Sequence, residues 1–216
     1  MSMKHSVLWG MLVASATVGA QEAAIVGSAQ QGAAKVQMCV GCHSIAGYQA
    51  SFPQVHKVPM ISGQSKGYIV AALEAYRRGD RAHPTMRGVT QMMSVQDVAD
   101  VAAFYSEQVG TPGKPAHNPP ANVQALIDKG ACLSCHGEGF AKPIDASYPK
   151  VAGQHADYLY VALKAYKTGA HPHTGRTNPI MVGIAQQFTL PELKQLASYI
   201  SGLDGELQTL PQPRFR

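Results

Sequence analysis

The sequence contains no run of eighteen uninterrupted apolar residues, the minimum for a helix that crosses a bilayer, so a membrane span is not expected. It also lacks a concentrated stripe of lysine and arginine interleaved with aromatics, which makes nucleic acid a poor partner. The formal net charge of +5 is spread along the chain, apart from Arg77, Arg78 and Arg81. No nucleotide-binding loop or nucleophile motif stands out, and no convincing strand pattern appears. Cysteine is scarce, with four in 216 residues, at positions 39, 42, 132 and 135.

Those four fall into two copies of one pattern: Cys39-Val40-Gly41-Cys42-His43 and Cys132-Leu133-Ser134-Cys135-His136. C-x-x-C-H is the attachment signature of c-type haem. Two thiols three positions apart reach the two vinyl groups on one edge of a haem, and the histidine that follows is held under the iron as an axial ligand. A four-thiolate zinc site would also use every cysteine, and a lone C-x-x-C can be a redox dithiol. Neither needs a histidine after each pair, or a longer repeat opened by each pair.

The longer repeat is present. Pro59-Met60-Ile61-Ser62-Gly63-Gln64 returns ninety residues on as Pro149-Lys150-Val151-Ala152-Gly153-Gln154. At the same offset Tyr68, Leu73, Tyr76 and Gly79 match Tyr158, Leu163, Tyr166 and Gly169. At an offset of 95, Met86-Arg87-Gly88 meets Met181-Val182-Gly183, and Ser94 and Phe104 meet Thr189 and Tyr199. The stretch Gly110 to Pro120 between the copies is rich in proline and glycine, as a semi-rigid linker would be. The expected organisation is a first domain over 21–110, a linker over 111–120 and a second domain over 121–216.

Each copy predicts three helices and an all-α fold. In the first they run over about 28–38, 65–78 and 95–108; in the second over about 122–129, 155–168 and 190–201. Gly79 stops the second helix. Ser94 with Asp97, and Thr189 with Glu192, form capping boxes on the last helices. A unit this small holds little apolar core of its own, so a haem would be the centre of its core.

A haem iron needs a ligand on its second face. Met86 lies 43 residues after His43, and Met181 lies 45 after His136, each in a loop rich in turn formers. A neutral thioether favours reduced iron and raises the potential relative to two histidines. Met92 and Met93 are rivals in the first copy only, since Gln187 and Phe188 stand in the second, and Met60 is matched by Lys150. His83, His171 and His173 offer bis-histidine ligation but do not coincide between copies.

Taken together, C-x-x-C-H, P-x-[IV]-x-G-Q, Y-x-x-x-x-L-x-x-Y-x-x-G, M-x-G and a capped last helix resemble a class I cytochrome c. Two such units in tandem resemble the cytochrome c4 family over about residues 28–203. The resemblance implies two covalently bound haem c groups. It makes Cys39, Cys42, His43 and Met86 the haem-binding set of the first domain, and Cys132, Cys135, His136 and Met181 that of the second. It implies that Pro59 and Pro149 orient the haem histidines through their carbonyls, as a second-shell acceptor does. It places Gly32 and Val36 against Val101 and Phe104, where the first and last helices cross. Ala125 and Lys129 stand instead in the second copy, so its first helix is expected to be shifted. Arg77, Arg78 and Arg81 resemble a segment that lies near propionates and the domain interface, or else a solvated helix end.

Residues 1–20 read as a secretory leader: Lys4, an apolar run from Val7 to Val18, and small residues Val18-Gly19-Ala20 before a cut at Gln21. An uncleaved anchor is the alternative. The periplasm is the expected location. The expected role is a single-electron carrier and not an enzyme, because two protein ligands on each iron leave no open position. The resemblance implies a bc1-type quinol–cytochrome c oxidoreductase as donor and a terminal oxidase, such as a cbb3-type enzyme, as acceptor. Two other roles use the same motifs: the dihaem subunit of a periplasmic dehydrogenase, and a dihaem peroxidase, which would need one iron to open. The tail from Gln208 to Arg216 carries no assignment.

Overall fold

Ser28 begins the first helical element by accepting a hydrogen bond from the Gln31 amide. In the computed structural model, which describes residues 25–113 and 117–211, helix α1 (Ala29–Lys35) follows directly. The expected leader and Gln21 lie outside the described residues, as do parts of the linker and of the tail.

The single helix expected over about 28–38 is two helices. The buried Val36 breaks the chain, and α2 (Gln37–His43) starts after it. The haem motif is thus itself helical, and positions three and four apart share a helix face. Cys39, Cys42 and His43 therefore come to one side of α2. In the second copy α6 (Ala121–Lys129) is broken from α7 (Leu133–His136) at Gly130 and Ala131, the latter with φ of 46°. The break falls directly before Cys132 instead of three residues before the cysteine, which is the shift expected between the copies.

The remaining long helices match expectation closely: α3 (Lys66–Arg78) and α5 (Val95–Ser106) in the first copy, α8 (Ala156–Thr168) and α10 (Leu190–Gly202) in the second. Gly79 ends α3 with φ of 89°, a conformation that costs a Cβ-bearing residue strain. Both capping boxes are formed.

Two differences stand out. The methionine segments, expected as loops, are the helices α4 (Pro84–Gln91) and α9 (Pro179–Gln186). Each opens with proline at a first-turn position, where its missing N–H is no loss, and with a polar side chain that caps the methionine amide: His83 Nδ1 at 3.4 Å and Asn178 Oδ1 at 3.1 Å. A ribbon of two short antiparallel strands, β1 (Gln49–Ala50) and β2 (His56–Lys57), occupies the segment after α2. That segment is three residues longer than its counterpart between His136 and Pro149.

Each copy has its own core. In the first, α1 crosses α5 at Gly32, where a Cβ would sit 2.2 Å from the Asp100 carbonyl oxygen and 2.7 Å from Phe104 Cβ. Val36, Val40, Ile69, Val101, Ala102 and Tyr105 fill the space around it. In the second, Val123, Leu126 and Ile127 of α6 pack with Leu193, Leu196 and Ile200 of α10. Among the described residues, no helix is long and apolar enough to cross a membrane.

The copies face each other across a reciprocal contact. The Met60 amide donates to Gln154 Oε1 at 3.0 Å, and Gln154 Nε2 donates back to the Met60 carbonyl at 2.8 Å. Gln64 does the same with the amide and carbonyl of Lys150, both at 2.9 Å. Matching residues swap roles, as in an isologous interface related by a two-fold axis.

Candidate haem centres

His43 reaches its position at the end of α2, where ring Nδ1 lies 2.8 Å from the Pro59 carbonyl. His136 ends α7 with Nδ1 3.0 Å from the Pro149 carbonyl. Both rings are tied as the resemblance implies. A carbonyl can only accept, so Nδ1 carries the proton and Nε2 is left free to bind a metal. Burial lowers the pKa of both histidines, more than the carbonyls raise it, which favours the neutral ring that metal binding requires.

In the second copy Cys132, Cys135, His136 and Met181 line one largely apolar cleft with Leu163, Phe188 and Ile200. In the first copy Cys39 packs against the core, and burial pushes its thiol up to about 11. Met86 stands on α4, half-buried, at the place corresponding to Met181 on α9. Its rivals are otherwise engaged: Met92 is 75% exposed, Met93 is packed into the side of the core, and Met60 offers its backbone to Gln154. His83 is occupied as the cap of α4. His171 accepts from the Thr174 hydroxyl on an exposed loop.

The basic segment divides. Arg77 turns inward to Glu74 and the Thr90 and Met93 carbonyls, where it anchors the end of α4, and Arg78 pairs with Asp80 at the surface. Among the described residues neither donates a hydrogen bond across the interface. Arg81 does, and Arg176 stands beside it, a residue the sequence reading did not single out. Arg176 stands 95 residues after Arg81, the offset that also relates the methionines, and this was the signal available. The two pair as an antiparallel bridge between the copies, flanked by Ala82 N–H to Gly175 O and Thr177 N–H to Asp80 O.

Both guanidiniums are buried, at 7% and 9% exposure. Arg81 donates to the Tyr68 and Tyr158 hydroxyls and Arg176 to Tyr158, each at 3.2 Å. Arg81 lies over the Tyr76 ring at 4.7 Å, and Arg176 over Tyr166 at 5.2 Å. Burial alone would raise the Tyr158 phenol, but the two guanidiniums outweigh it and bring it down to about 8. Among the described residues neither arginine has a carboxylate partner, and Arg81 Nε has no hydrogen-bond partner. Two buried cations without an acid are costly unless an anion joins them. A haem brings two propionates, so the residues present fit the group.

A model of the cytochrome c family matches residues 29–107 and again 120–204. Cytochrome c4 of Pseudomonas aeruginosa is 29% identical over 206 residues, covering 92% of this chain and 99% of that one. The crystal structure of reduced recombinant cytochrome c4 from Pseudomonas stutzeri aligns with a TM-score of 0.61 at 29% identity, covering 82% of this chain and all of that one. The chain belongs to the cytochrome c4 family. Its fold is two helical cytochrome c domains, and its cofactors are two covalently bound haem c groups. It is a dihaem electron carrier. A thiosulfate dehydrogenase electron acceptor of Thiomonas intermedia is also similar, 26% identical over 213 residues and covering 92% of this chain and 94% of that one.

Proposed function

We propose that the protein carries single electrons in the periplasm, released from a leader over residues 1–20, with domains at 21–110 and 121–216 joined by a linker at 111–120. It is peripheral to the membrane at most. The observation that most supports this role is the shared cleft of His136 and Met181, with His43 and Met86 standing at the corresponding positions of the first copy. When bound, each haem supplies one iron that cycles between the ferric and ferrous states.

The chain's residues do the rest. Cys39 with Cys42, and Cys132 with Cys135, would tether the haems. His43 with Met86, and His136 with Met181, would hold the two irons and so keep water and substrate from the metal. The Pro59 and Pro149 carbonyls hold the imidazoles in one tautomer. Arg81 and Arg176 supply the counter-charge for propionates at the domain interface, helped by the Tyr68 and Tyr158 hydroxyls. The glutamine contacts keep the two cradles at a fixed separation.

The proposed donor is a bc1-type quinol–cytochrome c oxidoreductase and the proposed acceptor a terminal oxidase, such as a cbb3-type enzyme. The likeness to a thiosulfate dehydrogenase electron acceptor favours a second role, as the dihaem electron-transfer subunit of a periplasmic dehydrogenase. Reconstitution separates the two. The carrier role predicts a free monomer that is reduced by quinol through the oxidoreductase and reoxidised by the oxidase. A stable heteromer with a dehydrogenase, reduced by that enzyme's substrate and not by quinol, would assign the chain to the second role.

A further inference from the structure

The Tyr105 hydroxyl is left over by the haem cradle and by the domain interface. Tyr105 lies on α5 at 1% exposure, the largest of the fully buried side chains. Its ring is held edge-on against Phe104, with centroids 5.1 Å apart, and its carbonyl accepts from the Gly63 amide at 2.9 Å. Among the described residues the hydroxyl has no hydrogen-bond partner. Cys39 packs against the same core as Tyr105, and burial, followed by Cys39, pushes the phenol's pKa up, so the oxygen keeps its proton. A thioether has only weak acceptor capacity and no proton, so an O–H beside it has one way to interact, as donor.

The second copy is built differently. Ile200 stands at the matching place on α10 and lines the cleft that holds Cys132 and His136. Its side chain is all carbon, in the core against which Cys132 packs. The two candidate sites thus differ by one buried hydroxyl in the core that the first cysteine joins. A bond dipole with its positive end toward the macrocycle stabilises the state that has gained an electron. In a low-dielectric core such a dipole is weakly screened.

We infer that Tyr105 is a tuning residue: its hydroxyl donates toward the thioether sulfur formed at Cys39 and raises the reduction potential of the first haem, while Ile200 leaves the second without such a donor. This rests on the proposed attachment of the first haem at Cys39. Intact mass of the exported holoprotein isolates that premise, since a wild-type chain with fewer than two haems overturns the attachment and the inference with it. With two haems in place, spectroelectrochemical titration of Tyr105→Phe is expected to move one of the two one-electron waves to lower potential. Ile200→Tyr is expected to move the other wave upward. Waves that stay where they are in both variants, with two haems retained, overturn the inference. So does a Tyr105→Phe chain that loses a haem, because the hydroxyl would then serve assembly and not potential.

Discussion

The proposed sulfur ligands, Met86 and Met181, are the residue-scale choice that would set what the iron does. Met86 and Met181 sit one turn inside helices whose caps, His83 and Asn178, bind the methionine amides themselves. The cap therefore places the proposed ligand as well as starting the helix. Met86→His or Met181→His is expected to lower one of the two potentials and remove half of the near-infrared sulfur-to-iron band. Met92→Ala should leave both unchanged, because that side chain is exposed. If Met92→Ala abolished its share of the band while Met86→Ala kept it, the proposed ligand of the first haem would be wrong.

At the scale of elements, the crossing of α1 and α5 depends on an acid as well as on Gly32. Asp100 is buried, and its carboxylate accepts from Lys35 Nζ at 2.6 Å, from the Ser28 amide at 2.7 Å and from Gln96 Nε2 at 2.9 Å. The Lys35 ammonium, and then the Ser28 amide, hold its carboxyl below the usual range. A depressed folded-state pKa means that the contribution is present above the unfolded value of about 4 and is lost as the pH falls below it. Asp100→Asn should therefore be less stable than wild type near neutrality, and the gap should close on acidification. Urea unfolding followed by circular dichroism from about pH 6 to about pH 3 checks this. A gap that stays constant would assign Asp100 a purely steric role.

The long helices were legible because their apolar spacing, caps and stop signals all agree, as with Ser94 and Asp97 on α5. The methionine helices were not. Pro84 to Gln91 has no apolar period, and it folds because a histidine caps it and packing on α3 covers it. The kink at Val36 left no mark either, since nothing in the residue forbids a continuous helix. The two-residue strands are too short to show alternation. At the candidate sites the cysteines, histidines and methionines were marked by spacing and by recurrence between the copies, and those of the second copy line one cleft. Arg176 was hidden by five extra residues between Gly169 and itself, which displace it from the ninety-residue register of the tyrosines it joins.

At the scale of the whole molecule, four hydrogen bonds from two glutamines tie the halves together, supported by the arginine bridge and by Gln208 N–H to Ser62 O. Replacing both Gln64 and Gln154 by alanine leaves the amides and carbonyls of Met60 and Lys150 without these partners, at about 1–3 kcal/mol for each buried group left unpaired. The double variant should keep two haems and unaltered absorption spectra, yet show slower electron exchange between the haems after flash reduction of one. Exchange at the wild-type rate would mean that the interface holds without the glutamines. These bonds are made to main-chain atoms, which no substitution at positions 60 and 150 removes, apart from proline. The interface is therefore blind to what those two positions carry, and here they carry a methionine and a lysine. Lys150 has used that freedom to reach Glu206 and the Gly63 carbonyl. A duplicated chain joined in this way is free to let its halves diverge in charge and in potential, and still keep the distance over which its electron has to travel.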